Sequence, residues 1–384
     1  MVGKLKSMLK KTLSALIVAL PMGETIVFES VPNFSDSPMA VFDEFVRRGY
    51  GNKYKLVWWV HENLATCEKP GNCICVDTST LKGHFRLWFY KLRAKCLISC
   101  NHFLETVRDD QVSVYITHGM VIKQTGAGNV LPKNIDHVIV ASEHVKEVMA
   151  WDLEADVKKF HGLGYPRNDA LQREDRDLHP MFPVDYRKIA VWYPTFRQHK
   201  NGNKTGSQNA LPILHSADNA RKLNEIASRN GVLLVVKPHF AQDVSYIKDC
   251  NLSHIRFIDD SFFEKNHISS YEFVGSCDAL ITDYSSIYYD FLLCDKPVAA
   301  IWEDIEEYRV NPGFAVDVDY YVKGAEKIYD LDDFEAFIDR LARGVDVLRE
   351  ERAEINALVN YSTDGKNAER VVDFIIEKAG LERF

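Results

Sequence analysis

Short apolar runs rich in β-branched and aromatic residues recur along this chain, and stretches with helical periodicity separate them. VLLVV at 232–236 and KLVWWV at 55–60 are nearly unbroken apolar segments. A strand with one wet face alternates apolar and polar residues, whereas a strand buried on both faces does not. Such strands belong to parallel sheets with helices packed on each side. The pattern predicts strands at 25–29, 55–60, 96–99, 112–117 and 137–141, then at 189–193, 232–237, 255–258, 279–282 and 298–301. Helices are predicted at 38–48, 144–152, 219–230, 287–293, 331–343, 345–359 and 367–379, with Gly344 as a break.

The chain has 384 residues, and about 150 residues per domain gives two or three domains. Residues 173–187 are charged and contain Pro180 and Pro183, so the join between two α/β halves is placed there. The expected parts are a basic amphipathic segment at 1–22, a Rossmann-like domain at 23–172, a second at 188–366 and a terminal helix at 367–384. A second polar stretch, 199–212, reads as a mobile or functional loop. No fixed-period repeat is present. Doubly wound halves of this kind are expected to place ligands in a cleft at the carboxyl ends of the strands.

Hydrophobic residues make up 46% and charged residues 27%, which excludes wholesale disorder. Acidic residues outnumber basic ones 55 to 47, so general nucleic-acid binding is not expected. The eight cysteines form no regular framework, and free thiols in a reducing compartment are expected. The spacing of Cys67, Cys73 and Cys75 departs from zinc-knuckle patterns. Near the start, Lys4, Lys6, Lys10 and Lys11 flank an apolar helical stripe from Leu5 to Leu20. This run is too short to span a bilayer. It has the first two regions of a signal peptide but no small-residue cleavage site, and Pro21 follows. The favoured expectation is contact with an anionic membrane surface; a first helix packed on the core is the alternative.

Five motifs sit where the expected cleft would need chemistry, four of them at the ends of predicted strands and one between the strand at 137–141 and the linker. His118-Gly119 follows the strand at 112–117, and histidine is a base near neutral pH. Gly162 and Gly164 precede Pro166-Arg167-Asn168-Asp169, and Arg167 is a phosphate-class donor. Pro194-Thr195-Phe196-Arg197 brings a hydroxyl and a guanidinium to another strand end. Lys237-Pro238-His239 gives a buried strand a cationic end, which calls for an anionic partner. Thr282-Asp283-Tyr284-Ser285-Ser286 opens the helix predicted at 287–293, where unpaired N–H groups suit phosphate; Asp290 lies one turn in. Taken alone, each motif also fits an ordinary turn or helix cap. Together they suit an anionic diphosphate. Neither a P-loop nor a dinucleotide fingerprint occurs.

The order of these motifs resembles the CDP-glycerol glycerophosphotransferase family, which includes teichoic-acid primases and polymerases. Phe28-Glu29-Ser30, Ser35-Asp36-Ser37-Pro38, Arg93-Ala94-Lys95, Asp295-Lys296-Pro297, Glu307-Tyr308-Arg309 and Gly313-Phe314 extend the likeness over roughly residues 24–375. The resemblance implies a GT-B architecture, with the acceptor in the first domain and the CDP-polyol in the second. It implies that His118 deprotonates the acceptor hydroxyl and that His239, beside Lys237, neutralises the pyrophosphate. Gly119, Lys123, Arg167, Thr195, Arg197, Lys237, Ser285, Ser286 and Asp290 become substrate-binding positions. This chain has Met120-Val121 where the family has Thr-Pro after His-Gly. It has Phe240 for a proline and Phe196 for a tryptophan.

The implied reaction is attack by an acceptor hydroxyl on the β-phosphorus of CDP-glycerol or CDP-ribitol, releasing CMP. The acceptor is expected to be lipid-linked or a saccharide, and the work to occur at the cytoplasmic face of the membrane. No D-x-D motif accompanies these loops, so neither an obligatory metal nor another cofactor is expected. Two alternatives use the same fold: a nucleotide-sugar glycosyltransferase or epimerase, and a nucleotide-binding scaffold without catalysis.

Overall fold

The computed structural model describes residues 17–61, 70–124, 130–195, 211–238, 242, 244–248 and 250–384. The chain forms two compact units. One comprises residues 1–120, 127–169 and 366–384; the other comprises 121–126 and 170–365.

The first unit contains β1 (Thr25–Glu29), β2 (Lys55–Val60), β3 (Ile74–Asp77), β4 (Cys96–Ser99), β5 (Val112–Ile116), β6 (His137–Val140) and β7 (Phe160–Gly162). They form one sheet in the order β3-β2-β1-β4-β5-β6-β7, and every pairing is parallel. Successive residues of β1 serve opposite faces. Val27 packs with Val57, Val76, Leu87 and Leu97. On the other side Phe28 stacks on Trp58 at 5.6 Å and meets Phe42, from the helix Asp36–Arg47, edge-on at 5.3 Å.

The second unit contains β8 (Lys188–Trp192), β9 (Val232–Val236), β10 (Ile255–Phe257), β11 (Ala279–Thr282), β12 (Val298–Ile301) and β13 (Glu326–Ile328). Their order is β10-β9-β8-β11-β12-β13, again wholly parallel. Trp192, Leu234 and Ile281 pack against Leu223 of the helix Ala217–Asn230 and Phe334 and Phe337 of the helix Leu331–Arg343. The side chains of Ser216 and Asp330 cap these helices, and Gly231 and Gly344 close them in left-handed geometry.

Two helix-covered parallel sheets are the α/β fold that the apolar runs predict. In both sheets the order reverses beside the first strand, between β1 and β4 and between β8 and β11. Crevices outside the strand ends at such reversals are where doubly wound folds bind ligands.

The differences from expectation are local. β3, β7 and β13 are absent from the sequence prediction, and all three are sheet edges. An edge strand has one neighbour and partial exposure, so it needs no continuous apolar run. The helix Leu81–Arg93 was also unanticipated. The helix predicted at 287–293 is α-helical only over Ile287–Phe291 and tightens to a 3-10 turn at Leu292–Cys294. The first unit ends at residue 169, ahead of the proline-bearing stretch, and takes in residues 366–384. The reason is visible at Asp169, whose carboxylate accepts the backbone N–H groups of Asn367 and Ala368 at 2.8 Å each, capping the helix Asn367–Lys378. Residues 1–16, which carry the lysines of the amphipathic stripe, lie outside the described residues. Among the described residues no helix is long and apolar enough to cross a membrane.

Phe28→Ala empties the centre of the aromatic cluster. It is expected to lower stability by about 3–5 kcal/mol, measured by urea denaturation, whereas Leu81→Ala at an exposed position should change it by less than about 0.5 kcal/mol.

Candidate active site

In the first unit the functional groups gather where strands stop. His118 sits just past β5, with its side chain 45% exposed. Its Nδ1 lies 3.5 Å from Oδ2 of Asp36, at the start of the helix Asp36–Arg47. Arg167 ties both groups down. Its Nη1 donates to Asp36 Oδ2 at 2.8 Å, and its Nη2 donates to the His118 carbonyl at 2.5 Å. Its guanidinium also lies 5.5 Å from the Tyr165 ring centre. Burial pushes the Asp36 carboxyl up, but the Arg167 charge and the His118 imidazole outweigh it, and Asp36 lies well below the usual carboxylate range.

This arrangement gives His118 a polarity. A carboxylate on the Nδ1 side favours a proton there and leaves Nε2 as the basic nitrogen. Gly119 follows with φ +131°, a conformation that side-chain-bearing residues avoid. Met120, where the family pattern has a threonine, is 2% exposed and packs as an apolar residue.

In the second unit the groups meet at the β8/β11 reversal. Asp283, buried just past β11, accepts the Thr195 backbone N–H at 2.9 Å, the Thr195 hydroxyl and the Tyr284 N–H at 2.6 Å. Thr195 thus clasps the end of β8 to the end of β11. Lys123 belongs to this unit and is held by an antiparallel bridge to Phe314. Burial lowers its ammonium pKa, and the Asp283 charge acts in the opposite direction. Lys237, past β9, lies 3.0 Å from Asp260 and 5.8 Å from the Tyr193 ring centre.

Ser285 and Ser286 lead into the short helix, and Ser286 makes no side-chain cap. The carbonyls of Ser285 and Ser286 accept the N–H groups of Tyr288 and Tyr289 at 3.2 and 3.0 Å. With so short a helix, anion binding here would depend on individual N–H groups more than on a summed dipole. Asp290 is 1% exposed and accepts the Tyr271 hydroxyl at 2.7 Å. His239 and Arg197 lie outside the described residues.

The structure therefore gathers His118, Gly119 and Arg167 in one unit, and Lys123, Thr195, Lys237, Ser285, Ser286 and Asp290 in the other. Asp36 and Asp283 received no role from the sequence, although each lies inside a quoted motif. For Asp283 the available signal was a carboxylate immediately beyond an apolar strand; Asp36, seven residues past β1, offered no such signal.

Residues 13–377 match the family pattern described as CDP-Glycerol:Poly(glycerophosphate) glycerophosphotransferase. The chain belongs to this family. The teichoic acid poly(ribitol-phosphate) polymerase of Bacillus spizizenii is 28% identical over 261 residues, covering 64% of this chain and 38% of that protein. The chain thus spans well under half the length of that relative. The teichoic acid poly(glycerol phosphate) polymerase of the same organism is 25% identical over 345 residues, covering 80% of this chain and 82% of that protein. Among solved structures, a histidine variant of the wall teichoic acid polymerase TagF aligns with a TM-score of 0.73 at 20% identity, covering 99% of this chain and 98% of that one. That likeness establishes the GT-B fold.

The depressed Asp36 carboxyl fixes the sign of a pH effect. Its stabilisation is fully present above the ordinary carboxylate value of 3.8 and is lost as pH falls below it. In thermal melts across pH, Asp36→Asn should be less stable than the parent at pH 7, and the gap should narrow below about pH 4.

Proposed function

We propose that this glycerophosphotransferase-family protein moves glycerol-phosphate, or a related polyol-phosphate such as ribitol-phosphate, from its CDP ester to an acceptor hydroxyl. The product polymer is a teichoic-acid-like or capsular cell-surface polymer. The observation that carries this reading is the exposed His118 imidazole, backed on Nδ1 by Asp36 and held in place by Arg167.

In this reading the first unit handles the acceptor and the second holds the CDP-polyol. The acceptor oxygen attacks the β-phosphorus as His118 Nε2 takes its proton. The bond from that phosphorus to the bridging oxygen breaks, and CMP leaves with the electron pair. The Asp36 carboxylate stabilises the imidazolium so formed. Charge on the nonbridging oxygens is met by Lys123, Lys237 and N–H groups around Ser285 and Ser286, with His239 and Arg197 as further donors. Electrostatic stabilisation of this kind supplies most of the catalysis in phosphoryl transfer. The acceptor is lipid-linked or a saccharide, and the basic N-terminal stripe places the protein on the anionic cytoplasmic face of the membrane.

The test is CMP release from CDP-glycerol and CDP-ribitol with lipid-linked and saccharide acceptors. His118→Ala should reduce turnover by about 10²–10⁴-fold while leaving CDP-polyol binding near that of the parent. Absence of CMP from either donor with every acceptor, together with a melting-temperature rise on adding a uridine-diphosphate sugar, would refute the proposal.

A further inference from the structure

We propose that Glu29, His61 and His102 form a site for a divalent transition metal of the zinc class in the first unit. Glu29 ends β1, His61 follows β2 and His102 lies just past β4. These three strands are neighbours in the order β2-β1-β4, so the fold brings their carboxyl ends together at the reversal between β1 and β4.

The geometry suits a metal. Glu29 Oε1 is 3.1 Å from His61 Nε2 and 2.8 Å from His102 Nδ1. All three ligand atoms lie within 4.8 Å of one another. Tetrahedral zinc with bonds of about 2.0–2.1 Å sets its ligand atoms roughly 3.3–3.5 Å apart, so small side-chain adjustments would seat the ion. The other carboxylate oxygen, Oε2, accepts the backbone N–H groups of Asn101 and His102 at 3.2 and 3.1 Å. Such outer bonds orient a metal-binding carboxylate. The two imidazoles stack at 4.6 Å, and Trp59 lies 4.3 Å from the His61 ring, which limits ring rotation.

Charge decides what kind of ligand fits. The Glu29 side chain has no exposed surface, and among the described residues its ion-pair partners are His61 and His102. Asp36, by contrast, has the permanent cation of Arg167. A buried carboxylate calls for hydrogen-bond donors and a compensating positive charge, and a bound metal ion supplies that charge. The carboxylate disfavours an anion, and two nitrogen donors disfavour magnesium and calcium. Two histidines and a carboxylate make a known transition-metal donor set. His102, with 53% of its side chain exposed, offers a route of entry. A second cluster of Asp36, Cys100 and His118 suits a metal less well. Arg167 occupies its carboxylate, and burial pushes the Cys100 thiol far above its ordinary range. The ligands come from the ends of three separate strands, so no sequence spacing announces the site. The site tethers three strand ends and neutralises Glu29; it takes no part in the transfer step.

The test is titration of the chelator-stripped full chain with Zn²⁺ alone, followed by calorimetry and melting temperature. One equivalent should bind saturably and raise the melting temperature. His102→Ala should weaken binding by at least about tenfold, the loss typical even for groups one step removed from a metal. Glu29→Gln, which preserves size, should weaken it similarly, whereas Cys73→Ser/Cys75→Ser should leave it unchanged. Co²⁺ in the site should show d–d absorption without a thiolate charge-transfer band. Lack of saturable binding, retention of full affinity in both His102→Ala and Glu29→Gln, or loss of affinity in the cysteine variant would overturn the site. The readout is independent of CMP release, so failure of the transferase reading would leave it standing.

Discussion

Strands buried on both faces have no free side on which to carry chemistry, and this constraint organises the molecule. Every residue of β1, β9, β11 and β12 is buried. A charged group on such a strand would lose its hydration without a partner. Polar residues are therefore displaced to the strand ends, and parallel strands put all their carboxyl ends on one edge. The reversals in strand order then open that edge beside β1 and β8. Glu29, the last residue of β1, and Asp283, the first after β11, both lie where burial meets this edge.

Three carboxylates at these edges, Glu29 and Asp283 buried and Asp36 partly so, are paired in three ways. Asp36 has the guanidinium of Arg167 and the imidazole of His118. Asp283 accepts N–H and O–H donors from the adjoining loops and has Lys123 within electrostatic range. Glu29 has imidazoles and backbone N–H groups. In each case the carboxylate organises a loop that the apolar strand cannot organise itself. Removing such a partner would cost more than the contact alone, because a buried charge is left behind.

The interior strands were legible because VLLVV and KLVWWV have no polar register to offer a wet face. Of the edge strands, β10 was legible but β3, β7 and β13 were not: ICVD at β3 and EKI at β13 contain charges that a sheet edge tolerates. His118, Lys237 and the Asp283-to-Ser286 turn were visible because each directly follows an apolar run. The Glu29–His61–His102 cluster was invisible for the opposite reason. Its members are far apart in sequence, and strand order alone, not local spacing, makes them neighbours.

Several residues that resemblance assigns to substrate already have protein partners. Arg167 bonds to Asp36 and the His118 carbonyl, Thr195 gives its hydroxyl to Asp283, and Asp290 accepts from Tyr271. A motif residue therefore does not have to touch the ligand to be required. Arg167 holds the Asp36 carboxylate and the loop that carries His118, so under the proposed mechanism its influence would reach the reaction through His118. Thr195 joins two strand ends at the β8/β11 reversal, so under the proposed mechanism it would act on the phosphate contacts through loop position. Changes at such residues should alter geometry, and near-attack geometry governs turnover even when binding persists. Within each unit the strand edge thus acts at two levels: it sets where polar groups can lie, and it pairs those groups with one another.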